Sequence, residues 1–130
     1  MEDQIITSEN SVRYYAHIVD AMAAAPSTLN SFYRYFGIFG MGHCGGGEGA
    51  RSIGQISLGP ATSLDPSSNM LMALVRWVED GAAPETIRET KFVGDNPAAG
   101  ADFTRKHCRC PFKNFHVGFG DSNETSWKCI

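Results

Sequence analysis

The segment "SFYRYFGIFGMGHCGGG", residues 31–47, places an aromatic-rich run directly before a glycine-rich loop with one histidine and one cysteine. Aromatic side chains alternate with other residues over 31–39, which predicts a β-strand. The glycines around His43 permit unusual backbone angles and close approach to neighbouring chain. Functional residues of α/β domains gather in loops that follow strand ends. The segment therefore predicts a strand that leads into a candidate site at His43.

The elements around this segment predict an α/β domain. A helix is predicted over 9–24, ended by Pro26, because apolar side chains fall at helical spacing on one face: Val12, Tyr15, Val19 and Met22. A second helix is predicted over 68–80, stopped by Gly81, with these side chains facing inward: Leu71, Leu74, Val75 and Val78. Alternation over 85–93 predicts a second strand. Two strands are too few for a stable sheet, so the sheet is expected to be incomplete.

Composition excludes several classes of function. The chain has 130 residues, 42% of them hydrophobic, which suits one globular domain. Its net charge is −3, and its longest basic run is "RK" at 105–106, so no nucleic-acid partner is expected. No apolar run reaches membrane-spanning length, so no membrane partner is expected either. Residues 1–20 carry no signal-peptide pattern.

The cysteines predict a tail held by disulfides. Three of the four cysteines lie in the irregular segment from residue 104 onward, where one short strand is expected at "FHVGF", 115–119. Such a tail indicates an oxidising compartment. Cys110 and Cys129 bracket it and are predicted to bond, a loop closure worth about 3 kcal/mol; Cys108 stays unassigned. Zinc at His107, Cys108 and Cys110, with His116 and Cys129 nearby, is the weaker alternative, since zinc pairs usually have C-x₂₋₄-C spacing.

A second feature of the tail is the triplet "NET" at 123–125, which is an N-glycosylation sequon. Such triplets also occur by chance. Asn123 is therefore a candidate glycosylation site.

The glycine loop allows several readings. Residues 45–50, "GGGEGA", match a dinucleotide-binding fingerprint, but no helix is predicted directly after them. A phosphate-binding Walker loop needs lysine where Glu48 stands. His43 suits a general base, which requires a carboxylate to orient it. Asp3 and Asp65 are both possible, and their spacing does not decide between them.

Three quoted runs resemble the C-terminal part of the tannase and feruloyl esterase family: "YYAHIVDAM" (14–22), "FYRYFGIFGMGHCGGG" (32–47) and "LMALVRWVEDGAAPETIRETK" (71–91). These are secreted serine esterases with an α/β-hydrolase core and a lid domain. The resemblance implies that His43 is the catalytic histidine and Asp3 the triad aspartate. It also implies that Cys44 bonds to a cysteine beside the nucleophilic serine, a partner outside this chain.

The resemblance implies that residues 1–130 are the C-terminal portion of an α/β-hydrolase catalytic domain. The nucleophile motif "GCSxGG" and the calcium-binding lid do not occur in the sequence, so no cofactor or metal is expected in this chain. The implied function is hydrolysis of small aromatic-acid esters, feruloyl or galloyl, by a secreted enzyme, with this chain supplying His43 and Asp3. Alternatives are a catalytically inactive product and a small secreted cysteine-stapled binding module.

Overall fold

The computed structural model describes residues 7–23, 26–43, 45–55, 63–118, 120 and 122–130. The helices are α1 (Glu9–Met22), α2 (Pro26–Leu29) and α3 (Met70–Asp80). The strands are β1 (Thr86–Phe92), β2 (Ala101–Cys108), β3 (Asn114–His116) and β4 (Trp127–Cys129). Short 3₁₀ turns occupy Val93–Asp95, Pro97–Ala99 and Glu124–Ser126.

Helix α1 confirms the first predicted helix and ends at Met22, because Ala23 takes a left-handed conformation with φ 43°. Pro26 begins α2, a position at which its fixed φ is compatible with a helix. No residue of α1 is buried, and Val12 and Met22 of its apolar face are exposed. Within the described residues this face is covered only in part: the Tyr15 ring lies 5.8 Å from the Tyr33 ring and 5.6 Å from the Tyr35 ring, while Val12 and Met22 remain open.

Helix α3 confirms the second predicted helix and starts two residues later than expected. The Asn69 side chain accepts a hydrogen bond from the Met72 amide at 3.1 Å, and Gly81 ends the helix at φ 68°. The prediction of its buried face is wrong for this chain: the buried residue is Ala73. Three side chains predicted to face inward are 67%, 52% and 76% exposed, and we call them the α3 stripe: Leu71, Leu74 and Val78.

Strands β1 and β2 form an antiparallel hairpin that is the centre of the fold. Ile87 pairs with His107 and Glu89 with Arg105, with a register shift at Lys91/Phe92. Strand β1 confirms the strand predicted over 85–93. Strand β2 was missed, because its sequence "ADFTRKHC" has no apolar alternation, and pairing with β1 holds it extended.

The strand predicted over 31–39 is wrong as a sheet element. Its first residues complete a turn after α2, where the Phe32 amide donates to the Leu29 carbonyl at 3.2 Å. The remainder makes one isolated bridge, from Phe36 to Arg109. An extended segment needs a hydrogen-bonded neighbour along its length to become a strand, and the described residues supply that neighbour at one position only.

The tail is stapled, but by a different disulfide from the predicted one. Cys108 bonds to Cys129, so the predicted Cys110–Cys129 bond is wrong and Cys110 is a free thiol within this chain. Strand pairing explains the choice. Asn114 pairs with Cys129 across β3 and β4, and its side-chain oxygen accepts from the Cys108 amide at 3.0 Å. Asn114 thereby brings Cys129 to the end of β2, where Cys108 lies.

The apolar core within the described residues is small. Its buried members are Leu29, Ala50, Ala73, Ile87 and Cys108. Polar and charged side chains are buried alongside them, most completely Glu89 and His107. None of the helices in the described ranges has the length and apolar character needed to cross a membrane.

Candidate active site

His43 lies in a loop that main-chain hydrogen bonds close on itself. We call residues 40–49 the His43 loop; Cys44 within it lies outside the described residues. The Gly49 amide donates to the Gly40 carbonyl at 2.9 Å, and the Gly42 amide donates to the Gly46 carbonyl at 3.1 Å. The two bonds hold the loop's ends together and leave His43 between Gly42 and Gly46.

Glycine is required where the two sides of this loop touch. A Cβ atom at Gly47 would lie 2.1 Å from the Gly40 carbonyl oxygen, and one at Gly49 would lie 2.2 Å from the Phe39 carbonyl oxygen. Gly47 also has φ 91°, which other residues rarely adopt. The glycine run therefore serves close backbone packing, which is the role expected of it from the sequence.

Strand β1 anchors the far side of the His43 loop. Ser52, just after the loop, forms an isolated antiparallel bridge with Thr90, with amide-to-carbonyl distances of 3.0 and 3.1 Å in the two directions. The side chains of Arg51 and Lys91 both donate to the Gly47 carbonyl, at 2.6 and 3.1 Å. Asp95, in the turn after β1, forms an ion pair with each of these cations.

The His43 side chain is exposed in this chain. Beside it lies a pocket of about 220 Å³ whose lining includes Met41 and Gly42, the two residues that precede His43, together with Tyr35 and Phe36. An exposed imidazole on a loop with a fixed backbone can accept a proton from a group that another part of a protein presents to it. The exposed position of His43 is compatible with the role predicted from the sequence.

A buried pair of titratable side chains lies near the start of the His43 loop. Oε2 of Glu89 is 2.8 Å from Nε2 of His107, with side-chain exposures of 0% and 1%. Burial raises the pKa of the Glu89 carboxyl, and the nearby His107 opposes that rise. The ring of Phe39, which directly precedes the loop, stacks on the His107 ring with centroids 5.9 Å apart. The Glu89–His107 pair therefore packs, through the His107 ring, against Phe39, the residue before the His43 loop.

The residues that hold the loop were not predicted from the sequence. The signal was weak but present for β1, since Ile87, Glu89 and Lys91 share one parity of an alternating strand. Nothing in the sequence indicated that Arg51 and Asp95 would meet, because their contact depends on how the loop packs against β1.

Of the two carboxylates predicted as partners of His43, the structure describes one. Asp3, the triad aspartate by resemblance, lies outside the described residues. Asp65 closes a turn before α3, where its Oδ1 atom accepts from the Ser67 amide at 2.9 Å. This hydrogen bond lowers the pKa of Asp65. The side chain thus has a structural task in its own turn.

The zinc alternative is not supported. Cys108 is bonded to Cys129, and His107 is buried against Glu89. Burial raises the pKa of the remaining thiol, Cys110. Across the described ranges, no three His, Cys, Asp or Glu side chains come together in a group that could hold a metal ion.

Asn123, the sequon asparagine, is exposed at the N-terminus of the 3₁₀ turn Glu124–Ser126. Its Oδ1 atom accepts from the Thr125 amide at 3.0 Å and from the Thr125 hydroxyl at 2.8 Å. Both polar residues of the sequon therefore lie together at the surface.

Solved structures share this arrangement of loop, hairpin and tail. An esterase from Aspergillus oryzae superposes with a TM-score of 0.90 at 47% identity, over 98% of this chain and 25% of that chain. Feruloyl esterase B from Aspergillus oryzae superposes with a TM-score of 0.87 at 43% identity, over the same shares of the two chains. This chain therefore has the fold of the matching quarter of these two esterase chains.

The family follows from the sequence comparison. The family model described as tannase and feruloyl esterase matches residues 1–130. Feruloyl esterase C of Talaromyces stipitatus is 52% identical over 129 residues, which are 98% of this chain and 24% of that relative. This chain belongs to the tannase and feruloyl esterase family, which confirms the resemblance inferred from its motifs. It spans about a quarter of the length of these relatives.

Proposed function

We propose that this chain supplies the general base His43 and its orienting carboxylate Asp3 to a serine carboxylic ester hydrolase acting on aromatic-acid esters. The observation that carries the proposal is the placement of His43. In a chain of this family, it stands exposed on a loop closed by two main-chain hydrogen bonds and anchored to β1. A base held in this way loses little freedom when a nucleophile is brought against it.

The proposed reaction is acyl transfer in two steps. A serine outside this chain attacks the ester carbonyl, while His43 takes its proton and returns it to the leaving alcohol. Asp3 orients the imidazole and stabilises its charged form. Water then attacks the acyl-enzyme with the same proton transfers, which releases the aromatic acid and regenerates the serine. Cys44 is proposed to bond to the cysteine beside that serine.

Exposed apolar surface supports an α/β-hydrolase catalytic domain larger than this chain. The α3 stripe is exposed to water here, and so are Val12 and Met22 on the apolar face of α1. Large apolar side chains exposed together on one face of a helix are typical of an interface. We assign these faces to contact with the portion of the domain that carries the nucleophile.

A chimera tests the proposed function. This chain replaces the matching quarter of feruloyl esterase C from Talaromyces stipitatus, and hydrolysis of methyl ferulate is measured beside the isolated 130-residue chain. We expect saturable hydrolysis by the chimera and none above buffer by the isolated chain, since a base and an orienting acid do not cut an ester without the nucleophile. The unmodified relative is the positive control.

Two outcomes would contradict the proposal. Saturation kinetics in the isolated chain would show that a nucleophile lies within it. A folded chimera without activity, beside an active relative, would show that this chain does not supply a competent base. In that second case, a cooperative melt of the isolated chain would favour the cysteine-stapled binding module.

We also propose that the protein is secreted and carries a glycan on Asn123. The disulfide and the exposed sequon support both statements. In a secretory host, Asn123→Gln should remove one endoglycosidase-sensitive mass shift. Thr125→Ser keeps the sequon and serves as the matched control, so its shift should remain. An unchanged mass in Asn123→Gln would show that the site is not used.

A further inference from the structure

Two cationic side chains converge on one carbonyl oxygen of the His43 loop. Nη1 of Arg51 donates to the Gly47 oxygen at 2.6 Å, and Nζ of Lys91 donates to the same oxygen at 3.1 Å. Oδ1 of Asp95 then bridges the two cations, 3.1 Å from Nη2 of Arg51 and 2.7 Å from Nζ of Lys91. Three residues from three segments thus meet at one point of the loop.

The two cations are largely buried, so each needs an anion or an acceptor nearby to compensate for its lost water. The side chains of Arg51 and Lys91 are 8% and 12% exposed, so both cations have lost most of their water. Buried cations require compensating charge and acceptors. Asp95 supplies the charge from a left-handed backbone at φ 60°, a conformation uncommon outside glycine. The Gly47 carbonyl supplies the shared acceptor.

The loop needs such a fixed point because its own residues provide little packing. Residues 45–47 are three glycines, which have no side chains to bury and the greatest backbone freedom of any residue. Charge-assisted hydrogen bonds are stronger than neutral ones. Two of them on Gly47 restrain the returning side of the loop, four residues after His43.

We propose that Arg51, Lys91 and Asp95 act as positioning residues for His43, by clamping the Gly47 carbonyl so that the imidazole stays aligned for proton transfer. The inference rests on the proposed function of His43. The three residues act through the loop backbone and touch no reacting atom. Their loss should therefore lower kcat more than it changes KM.

The test uses the active chimera with Lys91→Met and Lys91→Arg. Lys91→Met removes the charge and keeps much of the side-chain length, and it should lower kcat roughly 10- to 100-fold, as small misplacements of a catalytic group do. Lys91→Arg keeps a donor and should recover most of the rate. The matched control is Lys106→Met, which removes the ion pair between Lys106 on β2 and Glu124 in the last 3₁₀ turn and should change kcat little.

A double variant separates positioning from general damage to the fold. In the His43→Ala background, Lys91→Met should cause no further loss of the residual rate, because positioning acts only through the imidazole. Hydrogen exchange gives a readout without activity. The Gly42 and Gly49 amides, which are hydrogen-bonded in the loop, should lose protection in Lys91→Met and keep it in Lys106→Met.

These experiments distinguish failure of the positioning role from failure of the proposed function. If His43→Ala abolishes activity while Lys91→Met matches Lys106→Met in rate and exchange, the clamp is wrong and the proposed function stands. An equal further loss in the His43→Ala background would also overturn positioning. If the chimera is inactive, the proposed function fails, and unchanged exchange in Lys91→Met would still overturn the clamp.

Discussion

Alanine in place of His43 should abolish nearly all ester hydrolysis by the chimera, with a fall of roughly 10⁶-fold in kcat if His43 acts as the triad base. The physical reason is that the serine hydroxyl is a weak nucleophile until a base takes its proton. Initial rates on methyl ferulate over a wide range of enzyme concentration measure the effect. His17→Ala, an exposed histidine on α1, is the matched control and should keep the parent rate.

The aspartate should show a smaller loss. Asp3→Asn is expected to lower kcat about 10⁴-fold, because the base remains and only its orientation and charge stabilisation are lost. If His43→Ala keeps most of the activity, the base lies elsewhere. If Asp3→Asn matches the parent while His43→Ala is inactive, another carboxylate orients the histidine.

The second large effect concerns stability. Glu89→Ala should lower the free energy of unfolding of the chain by about 3 kcal/mol, because it leaves His107 buried without its partner and opens a cavity. Denaturant unfolding measures this loss. Glu9→Ala removes an exposed ion pair with Arg13 on α1 and is the control, with an expected change below about 0.5 kcal/mol.

Ionisation of Glu89 should also make the free energy of unfolding depend on pH. Burial raises the pKa of Glu89 in the folded state above its value of 4.5 in the unfolded chain. The stability associated with the neutral carboxyl is therefore fully present below pH 4.5 and is lost as pH rises through the folded pKa. Glu89→Gln cannot ionise, so the difference in unfolding free energy between parent and variant should change over this interval. A constant difference would show that Glu89 titrates as it does in water.

Local patterns in the sequence predicted the elements whose own residues decide them. Helix α3 was predicted because its apolar residues fall at helical spacing and Gly81 is a strong stop signal, and β1 because its side chains alternate. Strand β2 and the single bridge at Phe36 were not predicted, since pairing partners decide both. The buried face of α3 was predicted wrongly because the periodic apolar residues lie on the side that this chain leaves open.

In the candidate site, too, features set by local sequence were predicted and features set by tertiary contacts were not. His43 and the glycines were identified from their local pattern and from the family motif. The disulfide partner of Cys129 was predicted wrongly, because cysteine spacing carries no information about the pairing of Asn114 with Cys129. The contacts of Arg51, Lys91 and Asp95 depend on tertiary packing, so no local sequence pattern predicts them.

The anchoring of the His43 loop on β1 also sets an order of events during synthesis on the ribosome. Lys91 lies 44 positions after Gly47, so the loop leaves the exit tunnel well before the strand that anchors it. At typical elongation rates the delay is roughly 2 to 9 seconds. Cys129 emerges later still, after which its bond to Cys108 can form. The nascent histidine therefore acquires its fixed position only after the strand that supports its loop has been synthesised.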